Sequence, residues 1–196
     1  MNSISLLLLP PAAYLIGSVP FGLVFTRFFT KVDLRRQGSR NIGATNVRRT
    51  AGTFWGVLTL LCDALKGAVP VAVACHLSAF DAYPAMVALA SFFGHLFPVY
   101  LGFKGGGKGV ATAFGCFAVL SPMGLTVGLL VFVLLVCMTG RVSAGSLAGS
   151  AVLPLSVWKA TGSAALVACA VILAAGIFLR HRENIRRLIA GSEPRL

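Results

Sequence analysis

Acidic residues are scarce in this chain: 5 Asp+Glu stand against 17 Lys+Arg, and charged residues of all kinds make up 11% of 196 positions. So little charge excludes an ordinary soluble domain, which carries roughly 25%. The five acids and three histidines form no ligand cluster, so no metal site is expected. Paired cysteines are also missing. Cys62, Cys75, Cys116, Cys137 and Cys169 sit singly in apolar surroundings with no C-x-x-C, and all are expected to be packing residues. No internal repeat and no soluble domain interrupt the chain, so residues 1–196 are expected to be one membrane domain. A basic n-region and an A-x-A cleavage pattern are both absent near Met1, so the first apolar run is expected to be retained rather than removed as a signal peptide.

Apolar residues are abundant, at 57% of the chain with a mean hydropathy of +0.88. Such a composition predicts an all-α, polytopic integral membrane protein. The formal charge of +12 invites a nucleic-acid reading, but a basic face needs a solvated surface that this composition does not supply. Lipid headgroups and phosphorylated metabolites are the expected partners, with no nucleic acid.

Apolar runs place spans at Ser5–Phe25, Phe54–Leu77, Tyr83–Leu101, Val110–Met138, Val142–Val157 and Ser163–Leu179. As one helix the fourth run would extend ~43 Å, beyond a hydrocarbon core of ~30 Å, and Ser121-Pro122 interrupts it. Splitting it there predicts seven transmembrane helices, with the N-terminus outside and the C-terminus cytoplasmic. The basic residues Arg27 to Arg49, Lys104, Lys108, Arg141 and Arg180 to Arg195 then share one side, as the positive-inside bias requires. Gly124/Gly128 and Gly145/Gly149 read as small-residue pairs that bring helices close.

That same side collects the reactive chemistry. Gly38-Ser39-Arg40-Asn41-Ile42-Gly43-Ala44-Thr45-Asn46-Val47-Arg48-Arg49 combines hydroxyls, amides, guanidiniums and flexible glycines without an acid, which suits an anion clamp. Arg40 and Arg48 within it read as topology anchors. Gly102 to Lys108 begins like a nucleotide P-loop, but Gly109 stands where a Ser or Thr would bind magnesium. Glycine N–H groups at Gly106 and Gly107, the Lys108 charge and the positive end of the following helix still favour a phosphate. His76 and Asp81 fit a loose H-x-x-x-x-D acyltransferase pattern but fall on the opposite side, and read as coincidence. Asp63 and Lys66, three apart on one helix, read first as a structural ion pair and second as a substrate contact. His95 reads as an interhelical hydrogen-bonder or as part of the site floor. Arg180, Arg182, Arg186 and Arg187 read as topology anchors, whereas His181 and Asn184 face one direction at i, i+3.

Together, Gly38 to Val47, Gly94-His95-Leu96-Phe97-Pro98, Gly106-Gly107-Lys108-Gly109-Val110-Ala111-Thr112 and His181-Arg182-Glu183-Asn184-Ile185 resemble the acyl-phosphate-dependent glycerol-3-phosphate acyltransferases, the PlsY family. The resemblance covers essentially the whole chain. It implies transfer of a fatty acyl group from acyl phosphate to the sn-1 hydroxyl of glycerol 3-phosphate, giving lysophosphatidic acid and phosphate on the cytoplasmic face of a bacterial inner membrane. It also implies that no cofactor is needed, and that other phospholipid-synthesis enzymes are partners. Catalytic roles fall by resemblance on Ser39, Arg49, Lys108, His181 and Asn184, and substrate contacts on Ser39, Asn41, Thr45, Arg49, Gly106, Gly107, Lys108, Ser143, Ser146 and Asn184. The family reads F-K-G-G-K-G where this chain has one glycine more, leaving Lys104 and Lys108 as alternatives for the phosphate, with Lys108 preferred because Gly-Val-Ala-Thr follows it. Arg40 stands where many members carry glycine. A mixed anhydride donor has a good leaving group, so alignment and charge stabilisation are expected to matter more than a covalent nucleophile. A substrate phosphate oxygen is the expected base, with His181 the alternative and an acylated Ser39 a further one. The competing readings are a small transporter or exchanger for phosphorylated solutes, and a scaffold within a lipid-synthesis complex.

Overall fold

The computed structural model describes residues 3–196, so Met1 and the location of the extreme N-terminus lie outside it. Ten α-helices and one 3-10 turn are formed, with no strand among the described residues. They are α1 (Ser3–Gly17), α2 (Phe21–Phe29), α3 (Ala44–Ala51), α4 (Thr53–Leu77), α5 (Ala82–Leu96), α6 (Val110–Leu120), α7 (Pro122–Thr139), α8 (Val142–Thr161), α9 (Ala164–Arg180) and α10 (Arg182–Ile189), with the 3-10 turn at Val99–Leu101.

Prolines account for most of the helix ends. The expected first span Ser5–Phe25 is in fact broken after Gly17, and α1 and α2 meet at 45°. Pro20 lacks an N–H and disfavours helical backbone at Val19, which ends α1. The expected third span likewise stops at Leu96 rather than Leu101, two residues before Pro98. The break at Ser121-Pro122 is present as expected: the Ser121 hydroxyl accepts from the Gly124 N–H at 3.3 Å and Pro122 opens α7. Two helices emerge from segments expected to be loop or tail, α3 and α10. Both are eight residues long with a strong apolar–polar division, too short to read as spans.

Helices α4, α5 with its 3-10 extension, and α7 are each long and apolar enough to cross a bilayer, and the bent pairs α1–α2 and α9–α10 raise that number to five. The expected spans α6 and α8 fall outside this set. Eleven residues give α6 a length of only ~16 Å, and α8 carries Ser143, Ser146, Ser150 and Lys159. Only 11% of the apolar window of α7 is buried, so most of this helix faces outward, as a lipid-solvated helix does.

The core lies between α5, α6 and α9, where Phe92, Phe117 and Leu173 are fully buried. Cys116 and Cys169 pack there; Cys75 and Cys137 are exposed, so packing does not account for those two. Helix α8 is pressed against α7, and a Cβ on Gly149 would lie 2.7 Å from the Gly128 carbonyl oxygen, which is the close approach expected of the small-residue pairs. Asp63 and Lys66 form the expected ion pair, with Nζ 2.7 Å from Oδ1, and Nζ also donates to the Val19 carbonyl at 2.8 Å. At the break after α1 the Val19 carbonyl thereby accepts from the cation that Asp63 holds as well as from the Phe21 N–H at 3.1 Å.

Removing one member of a buried ion pair strands the other. Lys66→Ala is therefore expected to cost about 3–5 kcal/mol, read as a large drop in thermal unfolding midpoint in detergent, with partial recovery in the Asp63→Leu/Lys66→Met double variant.

Candidate active site

Residues that are distant in sequence meet at one end of the helices because α6 and α8 start there and α9 finishes there. The Gly38–Asn46 segment is tied down by buried Asn46. Its Oδ1 accepts from the Ser39 N–H at 2.8 Å, and its Nδ2 donates to the Asn41 and Gln37 carbonyls at 2.9 and 3.2 Å. Asn41 Oδ1 accepts from the Gly43 N–H at 2.9 Å, closing a turn that starts α3. Arg40 adopts φ +58°, a conformation glycine takes without steric cost. The first turns of α3 thus present Thr45, and Arg49 one turn later, toward the same space.

That space is a cavity of about 1010 Å³. Ser39, Asn41, Thr45, Arg49, Lys108, Ser143, Ser146, His181 and Asn184 all line it, nine of the eleven residues singled out from sequence. Gly106 and Gly107 do not. Both are buried behind the wall, the Gly107 N–H is already donated to the His95 carbonyl at 3.1 Å, and the Gly106 and Gly107 carbonyls accept from the Arg180 guanidinium. Gly106 and Gly107 are consequently a packed support for Lys108, with the Gly107 N–H turned away from the cavity. A Cβ at Gly107 would collide with the His95 imidazole. Lys104 and Gly105 are exposed, with open space around Gly105, so the loop's additional length is taken up at the surface while Lys108 points inward.

Lys108 Nζ donates to Asn184 Oδ1 at 2.6 Å. Asn184 Nδ2 donates in turn to Glu193 Oε1 at 2.6 Å, where the Ser143 hydroxyl also donates at 2.7 Å. Arg187 Nε holds the other carboxylate oxygen at 2.7 Å. The chain end wraps over this group: Arg49 donates to the Arg195 carbonyl at 3.2 Å, Arg141 to the Gly191 carbonyl at 3.1 Å and the Leu196 N–H to the Gly140 carbonyl at 2.8 Å. Sequence reasoning did not single out Glu193 or Asn46, and read Arg180 and Arg187 as topology anchors; instead Arg180 holds the Gly106 and Gly107 carbonyls and Arg187 holds Glu193. Among the tail arginines an acid reads as solvated, and the only signal for Glu193 is the rarity of acids in the chain.

Burial lowers the Lys108 ammonium to about 8; Glu193 opposes that shift, and Arg187, Arg49 and Arg180 add to it. His181 is lowered to about 4, by burial first and by Lys108 second, and is neutral near pH 7. Its Nδ1 lies 2.8 Å from the Ile177 carbonyl, which only accepts, so Nδ1 carries the proton and Nε2 keeps its lone pair. Away from the polar mouth the walls become apolar, with Leu125, Phe132 and Leu153. Val57, Leu60, Leu61, Phe114 and Leu129 line the cavity and are also 39–53% exposed on the outer surface, so this half opens sideways toward lipid. Among the described residues no three His, Cys, Asp or Glu side chains gather as a metal site would require.

A basic, water-facing mouth joined to a lipid-facing apolar groove defines a membrane enzyme that brings a polar and a fatty reactant together. Known proteins give the class its particulars. The sequence pattern of the family described as Glycerol-3-phosphate acyltransferase matches residues 7–191. A glycerol-3-phosphate acyltransferase of Syntrophotalea carbinolica is 51% identical over all of this chain and 98% of its own length, and that of Geobacter sulfurreducens is 47% identical over 96% of each. A crystal structure of PlsY (YgiH), an integral membrane glycerol 3-phosphate acyltransferase in its glycerol 3-phosphate form, superposes with a TM-score of 0.94 at 40% identity, covering 98% of this chain and 96% of that one. Its lysphosphatidic acid form gives 0.91 at 39%. The chain belongs to the glycerol-3-phosphate acyltransferase family and is an integral membrane acyltransferase.

Lys108 is charged below its pKa of about 8 and neutral above it. Affinity of the cavity for inorganic phosphate is therefore expected to fall as pH rises through about 8, measured by calorimetric titration. In Lys108→Arg, whose cation persists, that alkaline loss should disappear.

Proposed function

We propose that the protein transfers a fatty acyl group from acyl phosphate to the sn-1 hydroxyl of glycerol 3-phosphate, releasing lysophosphatidic acid and inorganic phosphate. The observation that carries this reading is the two-part cavity, cationic at Arg49, Lys108 and Arg187 and apolar from Val57 to Leu153. One part suits two phosphates and the other a fatty chain. The structural relative captured in glycerol 3-phosphate and lysphosphatidic acid forms supports the same acceptor and product here.

In this proposal Ser39, Asn41, Thr45 and Asn184 hydrogen-bond glycerol 3-phosphate, while Arg49 and Lys108 hold phosphoryl oxygens and Ser143 and Ser146 border the donor. The sn-1 oxygen attacks the acyl carbonyl, the new ester C–O bond forms, and the anhydride C–O bond breaks with its electron pair leaving on phosphate. A substrate phosphate oxygen takes the hydroxyl proton; His181, neutral with Nε2 unprotonated, is the alternative acceptor. Cations fixed before the reaction stabilise charge developing on the carbonyl and leaving oxygens, and a lipid-lined chamber strengthens that effect. Gly106 and Gly107 act through Lys108, by holding its loop.

The membrane arrangement proposed with this is seven crossings, formed by α1–α2, α4, α5, α6, α7, α8 and α9. The N-terminus is outside, and the C-terminus and the cavity mouth are on the cytoplasmic face of a bacterial inner membrane. The one-sided distribution of Lys and Arg supports it. The short α6 then needs local thinning or tilt. Other phospholipid-synthesis enzymes that supply acyl phosphate or consume the product are the expected partners.

Purified protein in lipid nanodiscs should form lysophosphatidic acid and phosphate in equal amounts from acyl phosphate and glycerol 3-phosphate, and none from acyl-CoA. Product from acyl-CoA, or no phosphate release from acyl phosphate, would refute the donor assignment.

A further inference from the structure

Glu193 is the one acidic group in the cluster that α8, α10 and the chain end build beside Lys108. It is buried although only Pro194, Arg195 and Leu196 follow it in the sequence. A carboxylate is acceptor-only. Because Glu193 Oε1 lies 2.6 Å from Asn184, the side of the amide turned toward it must be the NH2 group, and Oδ1 is thereby aimed at Lys108. Ser143 and Arg187 fix the carboxylate from two further directions, so it cannot rotate away. The backbone beside it is anchored as well, by Arg141 Nε donating to the Glu193 carbonyl at 3.2 Å.

We infer that Glu193 is a positioning residue for the transfer reaction: its carboxylate sets the amide orientation of Asn184, and through that amide holds the Lys108 ammonium at the cavity wall. The inference rests on the proposed site, and extends it to a residue of the terminal tail that borders the cavity and has no substrate-binding role in that proposal. Loss of the carboxylate leaves Asn184 free to flip and to present NH2 to an ammonium that can only donate. The charged groups facing Lys108 are Glu193 from the tail, Arg187 from α10, Arg49 from α3 and Arg180 from α9, with neutral His181 beside it. Glu193 alone among them favours the protonated lysine, so its neutralisation should ease proton loss from Lys108.

The test compares Glu193→Gln and Glu193→Asp with the wild-type protein in the acyl phosphate assay, across pH, alongside thermal unfolding. Glutamine keeps the size but must turn an NH2 group toward Ser143 and Asn184 or toward Arg187, each of which donates. The expected result for E193Q is a folded protein with kcat lowered by about tenfold or more. The alkaline limb of its rate profile should move to lower pH. E193D, which retains the charge, should keep that limb at the wild-type position and recover part of the rate. A folded E193Q with wild-type kcat and an unmoved limb overturns the inference, as does an equal displacement of the limb in E193D. A purely structural role predicts a lower unfolding midpoint with both limbs in place, and that outcome also overturns it. Should E193Q not fold, the position of the limb in E193D decides by the same criterion. An inactive wild-type protein would instead refute the proposed function itself, so the two failures are distinguishable.

Discussion

Hydrocarbon offers no hydrogen bonds, so every backbone polar group within the membrane must find a partner inside the protein. That requirement shapes this molecule most visibly at its prolines. Pro10 cannot donate to the Leu6 carbonyl, and the Tyr83 hydroxyl does so at 3.0 Å. At the break before Pro20 the Val19 carbonyl leaves the helical ladder, and Lys66 donates to it beside the Phe21 N–H. The turn at Pro98 leaves the Phe97 carbonyl to the Tyr14 hydroxyl. Each repair joins two helices, so the places where helical bonding fails become the places where α1 is tied to α4 and α5.

The same economy explains why Asp63 and Lys66 are worth burying. A lone lysine at this depth would be costly, but a lysine neutralised by Asp63 and bonded to a freed carbonyl fixes the bend between α1 and α2. That bend precedes the Gly38–Arg49 segment and α3. At the cavity end of the bundle the arrangement changes sign. Of the two carboxylates that line the cavity, Asp63 is matched by Lys66, while Arg49, Lys108 and Arg187 outnumber Glu193, and the surplus makes the mouth a place for oxyanions. One set of charges is matched to hold helices together, and the other is left in excess to hold phosphate.

Much of this was legible in the sequence, and what was not has definite physical reasons. Long apolar runs and the Ser121-Pro122 break predicted α4, α7 and the division of α6 from α7, because length and proline chemistry are local properties. Nine of eleven chosen site residues line one cavity because they occur in motifs that the one-sided charge pattern already placed together. Gly106 and Gly107 were misplaced because glycine serves equally for anion binding and for close packing, and only the nearness of His95 and Arg180 distinguishes the two. Helices α3 and α10 were missed because eight residues hold too few turns for a periodic signal. Glu193 was invisible because its importance lies in the tail's return path over Arg141 and Ser143, which no spacing rule encodes.

In the proposed reaction, the joining of a phosphate mouth to a sideways apolar groove lets one chamber serve both reactants. Its most direct measurement is the pair of KM values, for a long-chain acyl phosphate and for glycerol 3-phosphate, in Leu61→Trp, a substitution at the lipid-facing opening. A several-fold rise in the KM for the acyl donor with an unchanged KM for glycerol 3-phosphate is expected. An unchanged donor KM, or a rise confined to glycerol 3-phosphate, would contradict entry of the fatty chain through that opening.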